Sequence, residues 1–120
     1  LSILHGIKEN NFMKRLLFTI GIMISFADAS LAAEVKANWE KHCLKCHGAD
    51  GNGQTKMGRL SGVKDYTDPK VQAELKDETA LKAIKDGIVE KGKKKMDPYS
   101  DKLAEDEITA LIAYLRGFKK

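Results

Sequence analysis

One five-residue segment, Cys43-Leu44-Lys45-Cys46-His47, constrains this chain more than any other feature. Residues three apart lie on one face of a helical turn, so both thiols can meet one edge of a planar macrocycle while His47 reaches its centre. Two such thiols followed directly by a histidine form the attachment sequence for a c-type haem. The segment therefore predicts a porphyrin held through Cys43 and Cys46, with the His47 imidazole bound to its iron.

Three other uses of a Cys-x-x-Cys pair are a redox dithiol, half of a zinc site and a structural disulfide. A zinc site would need two more ligands at suitable spacing, and the chain offers only His5 and His42 besides His47, with no third cysteine. A thioredoxin-like dithiol should follow a strand in a βαβ unit, and the sequence has no such alternation. The histidine that follows the pair favours haem.

The first quarter of the chain has the pattern of a secretory signal peptide. Met13-Lys14-Arg15 is a basic start, 16–26 is an apolar run, and 27–33 is rich in alanine. The apolar run is short for a membrane span, which makes a retained anchor the weaker interpretation. We expect cleavage after Ala32 or Ala33 and export to the periplasm. Residues 1–12 precede the expected initiator Met13 and are interpreted as a mis-set start or a dispensable extension.

The remaining segment, 34–120, is short for a protein that must bury its own core. Small exported domains usually rely on disulfides, a metal or a cofactor, and the only two cysteines are in the motif. A largely apolar haem would complete the core. The formal net charge of the full chain is only +4, and an exported protein with so modest a charge is not expected to bind nucleic acid.

Hydrophobic spacing predicts an all-α domain. Val35, Trp39, Cys43 and Cys46 recur at helical intervals and predict a first helix over 34–46. Shorter helices are predicted over 69–76, with Asp68 as the N-cap, and over 77–86. The last predicted helix, 104–117, has an uninterrupted apolar stripe and lacks a capping serine or threonine at its start. That stripe consists of Ile108, Leu111, Ile112 and Leu115.

Two segments between the helices are predicted to enclose the cofactor. The glycine-rich stretch 48–62 is expected to be loop throughout, since glycine permits close approach of the backbone to a flat ligand. A thioether sulfur can fill the sixth position of a haem iron, and the segment after the signal peptide offers Met57 and Met96. We predict Met96, because it lies on a loop before Pro98 and is far enough along the chain to reach the other face. Met57 is expected to serve packing.

The order of these features resembles the small single-haem class I cytochromes c of bacteria. The resemblance rests on the signal peptide, the Cys43-x-x-Cys46-His47 motif, the glycine-rich loop, the Met96-Asp-Pro98 segment and the final Leu111-x-x-Tyr114-Leu115 helix. It implies an all-α fold whose N- and C-terminal helices cross around a covalently attached haem. It also implies His47 and Met96 as axial ligands and a contact between Trp39 and Tyr114. Many relatives orient the proximal histidine with the carbonyl of a proline soon after the motif, and this chain has no such proline.

The expected function is one-electron transfer by a monomeric carrier, because two axial ligands leave no open position on the iron. The basic run Lys91, Lys93, Lys94 and Lys95 would steer encounter with an acidic partner or a terminal oxidase, although a solvated charge run is an equally simple interpretation. A haem enzyme or gas sensor with an open sixth site is the alternative function. A free thiol module, and a subunit of a larger complex, also remain open.

Overall fold

The computed structural model of the chain describes residues 29–120, so the expected signal-peptide features and the extension within 1–28 lie outside the described residues. Residues 34–120 form one compact unit. In the part described, the first helix, α1, covers 29–42. The elements that follow are α2 (Leu44–His47), α3 (Lys56–Ser61), α4 (Pro69–Glu74), α5 (Asp77–Asp86), β1 (Ile88–Glu90), β2 (Lys93–Met96) and α6 (Glu105–Arg116).

The core lies between α1 and α6, as the two amphipathic stripes predict. Ile108 and Leu111 are the most completely enclosed side chains, and Trp39 of α1 is only 3% exposed. The Trp39 ring lies 5.0 Å from that of Phe118 and 5.7 Å from that of Tyr114, between ring centroids. The predicted contact of the first and last helices through Trp39 and Tyr114 is therefore present. The rest of the buried core consists of Leu103, Ile112 and Leu115.

The glycine-rich stretch 48–62, predicted to be loop throughout, contains the short helix α3. Thr55 is the N-cap of α3, and its hydroxyl accepts a hydrogen bond from the Gly58 amide at 2.8 Å. The same hydroxyl donates to the Cys46 carbonyl at 2.7 Å, which fixes α3 against the motif. A Cβ at Gly58 would collide with the carbonyl oxygens of Cys46 and Gly53. The glycines here permit close packing of a helix, as well as turns.

A two-stranded antiparallel hairpin, β1 and β2, takes the place of the predicted Met96 loop. Its two-residue turn is formed by Lys91 and Gly92, whose φ angles of 51° and 74° are both positive, as in the turns that suit tight hairpins. Met96 is the last residue of β2 and pairs with Ile88. The lysine run thus belongs to a strand and its turn, and it precedes the proline-containing segment.

Polar contacts around α4 and α6 join the middle of the chain to the last helix. The buried Gln72 side chain donates to the carbonyls of Tyr66 and Leu115 at 2.7 and 2.9 Å. Arg116 donates to the Leu75 carbonyl and the Asp77 carboxylate, both at 2.6 Å. These contacts hold α4 and the start of α5 against α6, which positions one side of the site.

The caps explain the observed helix ends. Asp68 accepts from the Lys70 amide at 2.8 Å, as predicted for the start of α4. Ala104 provides no side-chain cap for α6, but the Glu107 carboxylate accepts from its amide at 2.8 Å. Half of a capping box therefore remains, and it offsets part of the stability that is lost because a capping serine or threonine is missing.

Candidate haem site

The attachment segment is a separate short helix after a break in α1. Cys43 is a turn residue between 42 and α2, and its carbonyl accepts from the His47 amide at 2.9 Å. The Trp39 indole Nε1–H donates to the Gly48 carbonyl at 3.0 Å and so ties the end of α2 to the core. The motif is therefore held from within by helical hydrogen bonds, and from outside by Trp39 and α3.

All four predicted site residues line one cavity of about 540 Å³, which lies within the usual range of about 300–1,000 Å³ for small-molecule and cofactor sites. Its attachment wall contains Trp39, Cys43, Cys46 and His47. Its hairpin wall contains Ile88, Glu90, Lys94, Lys95 and Met96. Apolar side chains from α4, α5 and α6 close the interior between them; these are Val71, Leu75, Ala80, Ala83, Ile84, Leu111 and Leu115.

The His47 imidazole is enclosed by aromatic rings. Its centroid lies 5.7 Å from that of Trp39 and 5.8 Å from that of Tyr66. Burial lowers the pKa of His47, which favours the neutral imidazole that binds metals. Its buried Nδ1 has no hydrogen-bond partner among the described residues. The structure therefore identifies no backbone carbonyl that could replace the carbonyl of the missing proline.

Cys43 and Cys46 form no disulfide with each other, and burial governs the chemistry of the Cys43 thiol. Burial, followed in importance by the neighbouring Cys46, raises the pKa of the Cys43 thiol to about 12. A reactive dithiol needs a thiol with a lowered pKa, so this environment disfavours the redox-module alternative. Residues 29–120 also contain no group of three or more His, Cys, Asp or Glu side chains placed to hold a metal ion, which the zinc alternative would need.

The residues of the cavity fit a haem. Two sulfurs three residues apart, an adjacent neutral imidazole and a thioether line the same space, and these are the donors that bind this cofactor. The apolar side chains around them suit a ring that is apolar over most of its surface. The Nδ1 of His47 has no hydrogen-bond partner within residues 29–120, so no such bond holds the imidazole away from the cavity.

Both candidate thioethers lie at the cavity, on different elements. Met96 is partly buried at the end of β2, whereas Met57 is 39% exposed on α3. Because α3 packs directly on α2 through Thr55 and Cys46, Met57 belongs to the side of the attachment segment. Met96 comes from the hairpin wall, so it remains the better candidate for the position across from His47.

His42, the last residue of α1, is partly buried and lines the cavity. Its ring packs edge-on against Tyr99 at a centroid distance of 5.5 Å, and the Tyr99 hydroxyl donates to its carbonyl at 2.9 Å. Desolvation, with smaller effects from nearby lysines, lowers the pKa of His42. The contact joins the segment after the hairpin to α1.

The fold and the cavity together define a c-type cytochrome domain. A family model described as "cytochrome c oxidase, cbb3-type, subunit III" matches residues 30–115. The chain belongs to this family of c-type cytochrome domains, which implies a haem c with iron and a haem-based role in electron transfer. The predicted all-α class I cytochrome c fold is confirmed by the mostly helical structure and its solved relatives.

Two solved structures show the likeness over nearly their own whole length. The "KustC0563 c-type cytochrome" is 36% identical with a TM-score of 0.64, and the match covers 71% of this chain and 96% of that one. A point mutant of Kustc0563 is 35% identical with a TM-score of 0.63, covering 72% and 99%. A search of curated proteins gives no match. Within residues 29–120, no helix has the length and apolar character needed to span a bilayer.

Proposed function

We propose that this chain is a periplasmic one-electron carrier with one haem c. Cys43 and Cys46 would hold the cofactor through two thioether bonds, and His47 and Met96 would bind its iron from opposite sides. The observation that carries the proposal is that the attachment motif and Met96 line one cavity from different walls. The haem, when bound, supplies a reversible one-electron change of charge at its iron.

The protein's own residues would set the conditions for that change. The buried attachment wall and the apolar side chains of the interior exclude water, and a dry surrounding makes the additional charge of ferric iron costlier. A thioether is a neutral, soft donor, so Met96 would favour the ferrous state more than a second histidine would. Both effects would raise the reduction potential. With His47 and Met96 both bound to the iron, no position on it would remain for a substrate.

The export and partner assignments rest on the sequence and on surface charge. The signal-peptide pattern of 13–33 supports periplasmic location. The lysine hairpin is defined as Lys91, Lys93, Lys94 and Lys95, and it borders the cavity through Lys94 and Lys95. Its positive charge is the reason to propose an acidic redox partner, such as a domain of a terminal oxidase. Electron transfer to such a partner should slow as ionic strength rises; a rate unaffected by salt would remove the hairpin from partner recognition.

A redox titration followed by visible spectroscopy tests the central proposal. The purified exported protein should be coloured, titrate as a single one-electron centre and carry the spectrum of a haem with one imidazole and one thioether ligand. The reduced protein should not bind carbon monoxide. Rapid binding of carbon monoxide would instead support the haem enzyme or gas sensor. Co-purification with other subunits would distinguish a complex from a free carrier.

A further inference from the structure

His42 lies next to the segment that would attach the cofactor. It directly precedes Cys43 in the chain, and its partly buried side chain lines the cavity. Its ring packs edge-on against Tyr99, and the Tyr99 hydroxyl donates to its backbone carbonyl. The imidazole therefore has a defined position at the edge of the attachment wall.

His42 is also the one side chain of 34–120 that is expected to change its charge near neutral pH. The only histidines of this segment are His42 and His47. Histidine is the only side chain whose ordinary pKa places that change between about pH 5 and pH 8. Under the proposed function, His47 binds the iron and stays neutral. A proton that a side chain of this segment takes up in that pH range would therefore bind at His42.

Charged groups on three parts of the chain act on the His42 imidazole. Burial contributes most to the lowered pKa of His42. Lys41 of α1 and Lys102, which precedes α6, lower the pKa further, whereas Glu107 of α6 raises it. No ion pair within residues 29–120 includes His42. The ring is therefore mainly neutral at pH 7, and it can gain a proton without first losing a carboxylate partner.

The remaining charges at the cavity form a constant background. Burial raises the pKa of the Tyr99 hydroxyl, so this direct neighbour of His42 stays neutral. Lys94 and Asp97 are paired at 2.6 Å, which offsets the charge of each. The charged side chains that line the cavity are Lys64, Glu90, Lys94, Lys95 and Asp97. Carboxylates and ammonium groups keep their charge throughout the neutral range, so His42 supplies the variable charge.

We propose that His42 is a redox-linked proton site, which binds a proton from solvent when the haem iron accepts an electron and releases it when the iron is oxidised. The proposal rests on the proposed function, because it requires a one-electron centre in this cavity. On reduction, the electron from the donor protein enters the iron, and the proton binds the unprotonated ring nitrogen to give imidazolium. On oxidation, the electron passes to the acceptor protein and the proton returns to water.

The physical reason is repulsion between like charges. Ferric iron carries one more positive charge than ferrous iron, and protonated His42 places another at the wall of the same cavity. Apolar side chains surround this space, so the repulsion is screened less than at an open surface. Oxidation should therefore lower the pKa of His42, and reduction should raise it. By linkage, protonation of His42 should raise the reduction potential, so the potential should fall as the pH rises through the two pKa values.

Proton NMR of the haem-loaded protein tests this coupling at the residue itself. His42 is identifiable, because it is the only histidine of 34–120 that would not bind iron. Its Cε1 proton is followed through a pH titration of the ferrous protein and of the ferric protein. The proton affinity should be at least about threefold higher in the ferrous protein, which corresponds to about 28 mV, since tenfold is about 59 mV for one electron. Equal midpoints in the two states would overturn the proposal and leave the proposed function intact.

Voltammetry across the same pH range tests the coupling from the side of the iron. The wild-type potential should fall from a higher value at low pH to a lower value at high pH. His42→Gln is neutral at every pH, so it should remove this step and keep the lower value. A full step in His42→Gln would assign the proton to the carboxylates of the haem itself and contradict the proposal.

Lys41→Gln is the matched control, since it changes the charge of the exposed neighbouring residue on the same helix. It should keep the step and move it to higher pH, because Lys41 lowers the pKa of His42. A step that disappears in Lys41→Gln would contradict the assignment to His42. A protein that shows no one-electron wave at any pH would instead refute the proposed function.

Discussion

The two walls of the cavity are built differently. The attachment wall rests on the core: Trp39 is almost fully enclosed, contacts Tyr114, Phe118 and His47, and bonds to the Gly48 carbonyl. The hairpin wall consists of strands of three and four residues whose side chains are mostly exposed. One wall is thus fixed by packing, and the other by a turn and a few backbone contacts.

This difference separates two tasks. Covalent attachment requires two sulfurs and an imidazole in fixed relative positions, which a dense core can maintain. The second axial donor needs only to reach the cavity, so a small hairpin is sufficient. Gly87, with φ of 73°, enters the hairpin with its Cα close to the Met96 carbonyl, and a Cβ there would meet that oxygen at 2.6 Å. We therefore expect changes in the attachment wall to affect assembly and stability, and changes in the hairpin wall to affect redox properties.

The largest expected effect is loss of the cofactor from the attachment wall. The double variant Cys43→Ala with Cys46→Ala has no sulfur for a thioether bond, so the haem should be absent after denaturing electrophoresis with haem staining. Each single variant should keep one bond and a weaker band. Met96→Ala is the control and should keep a full-strength band. Haem that stays with the denatured double variant would show that these cysteines are not the attachment points.

The second effect tests the support of the attachment wall. Trp39→Ala removes the centre of the aromatic cluster and the bond to Gly48, and should lower the free energy of unfolding by about 3–5 kcal/mol. Val89→Ala, at a 68% exposed position of the hairpin, should change it by less than about 0.5 kcal/mol. Denaturant unfolding of the haem-loaded proteins measures both. Similar losses in the two variants would remove the distinction between the walls.

The sequence predicts the two long helices α5 and α6 better than the hairpin wall, and the physical reason is the length of the pattern. The helix 77–86 was predicted at its observed bounds, and α6 within one residue, because their apolar residues repeat over several turns. The hairpin was missed because four lysines conceal two very short strands, and its signal is only the Lys91-Gly92 turn. Helix α3 was missed because its glycines suggested loop, although Thr55 marks its start. The partial burial of His42 depends on Tyr99, which is distant in sequence.

The third effect tests the hairpin wall. Met96→Ala removes the proposed thioether ligand and should lower the reduction potential by roughly 0.1 V or more, within the range of about 0.8 V that axial ligands span. The reduced protein should then bind carbon monoxide, while its free energy of unfolding changes less than in Trp39→Ala. Met57→Ala is the matched control, because it removes the other thioether of the cavity and should preserve the spectrum. If only Met57→Ala shifts the potential, the ligand comes from α3.

The smallest effect concerns a contact that joins the two sides of the molecule. The Tyr99 hydroxyl, just after the hairpin, donates to the His42 carbonyl near the end of α1. Tyr99→Phe keeps the ring against His42 and removes this one bond, so the free energy of unfolding should fall by about 0.5–1.5 kcal/mol. Tyr114→Phe is a suitable control, since its partly buried ring packs on Trp39 and its hydroxyl makes no hydrogen bond within the described residues.

Reduction potentials of the same two variants sharpen the comparison. If the hairpin wall is held in place partly through this bond, Tyr99→Phe should shift the potential slightly and speed carbon monoxide binding to the reduced protein, because Met96 would leave the iron more often. Tyr114→Phe should change neither. A Tyr99→Phe protein that loses stability with an unaltered potential and ligand-binding rate would mean that the bond serves α1 alone, and that the hairpin wall is positioned by its own turn and backbone contacts.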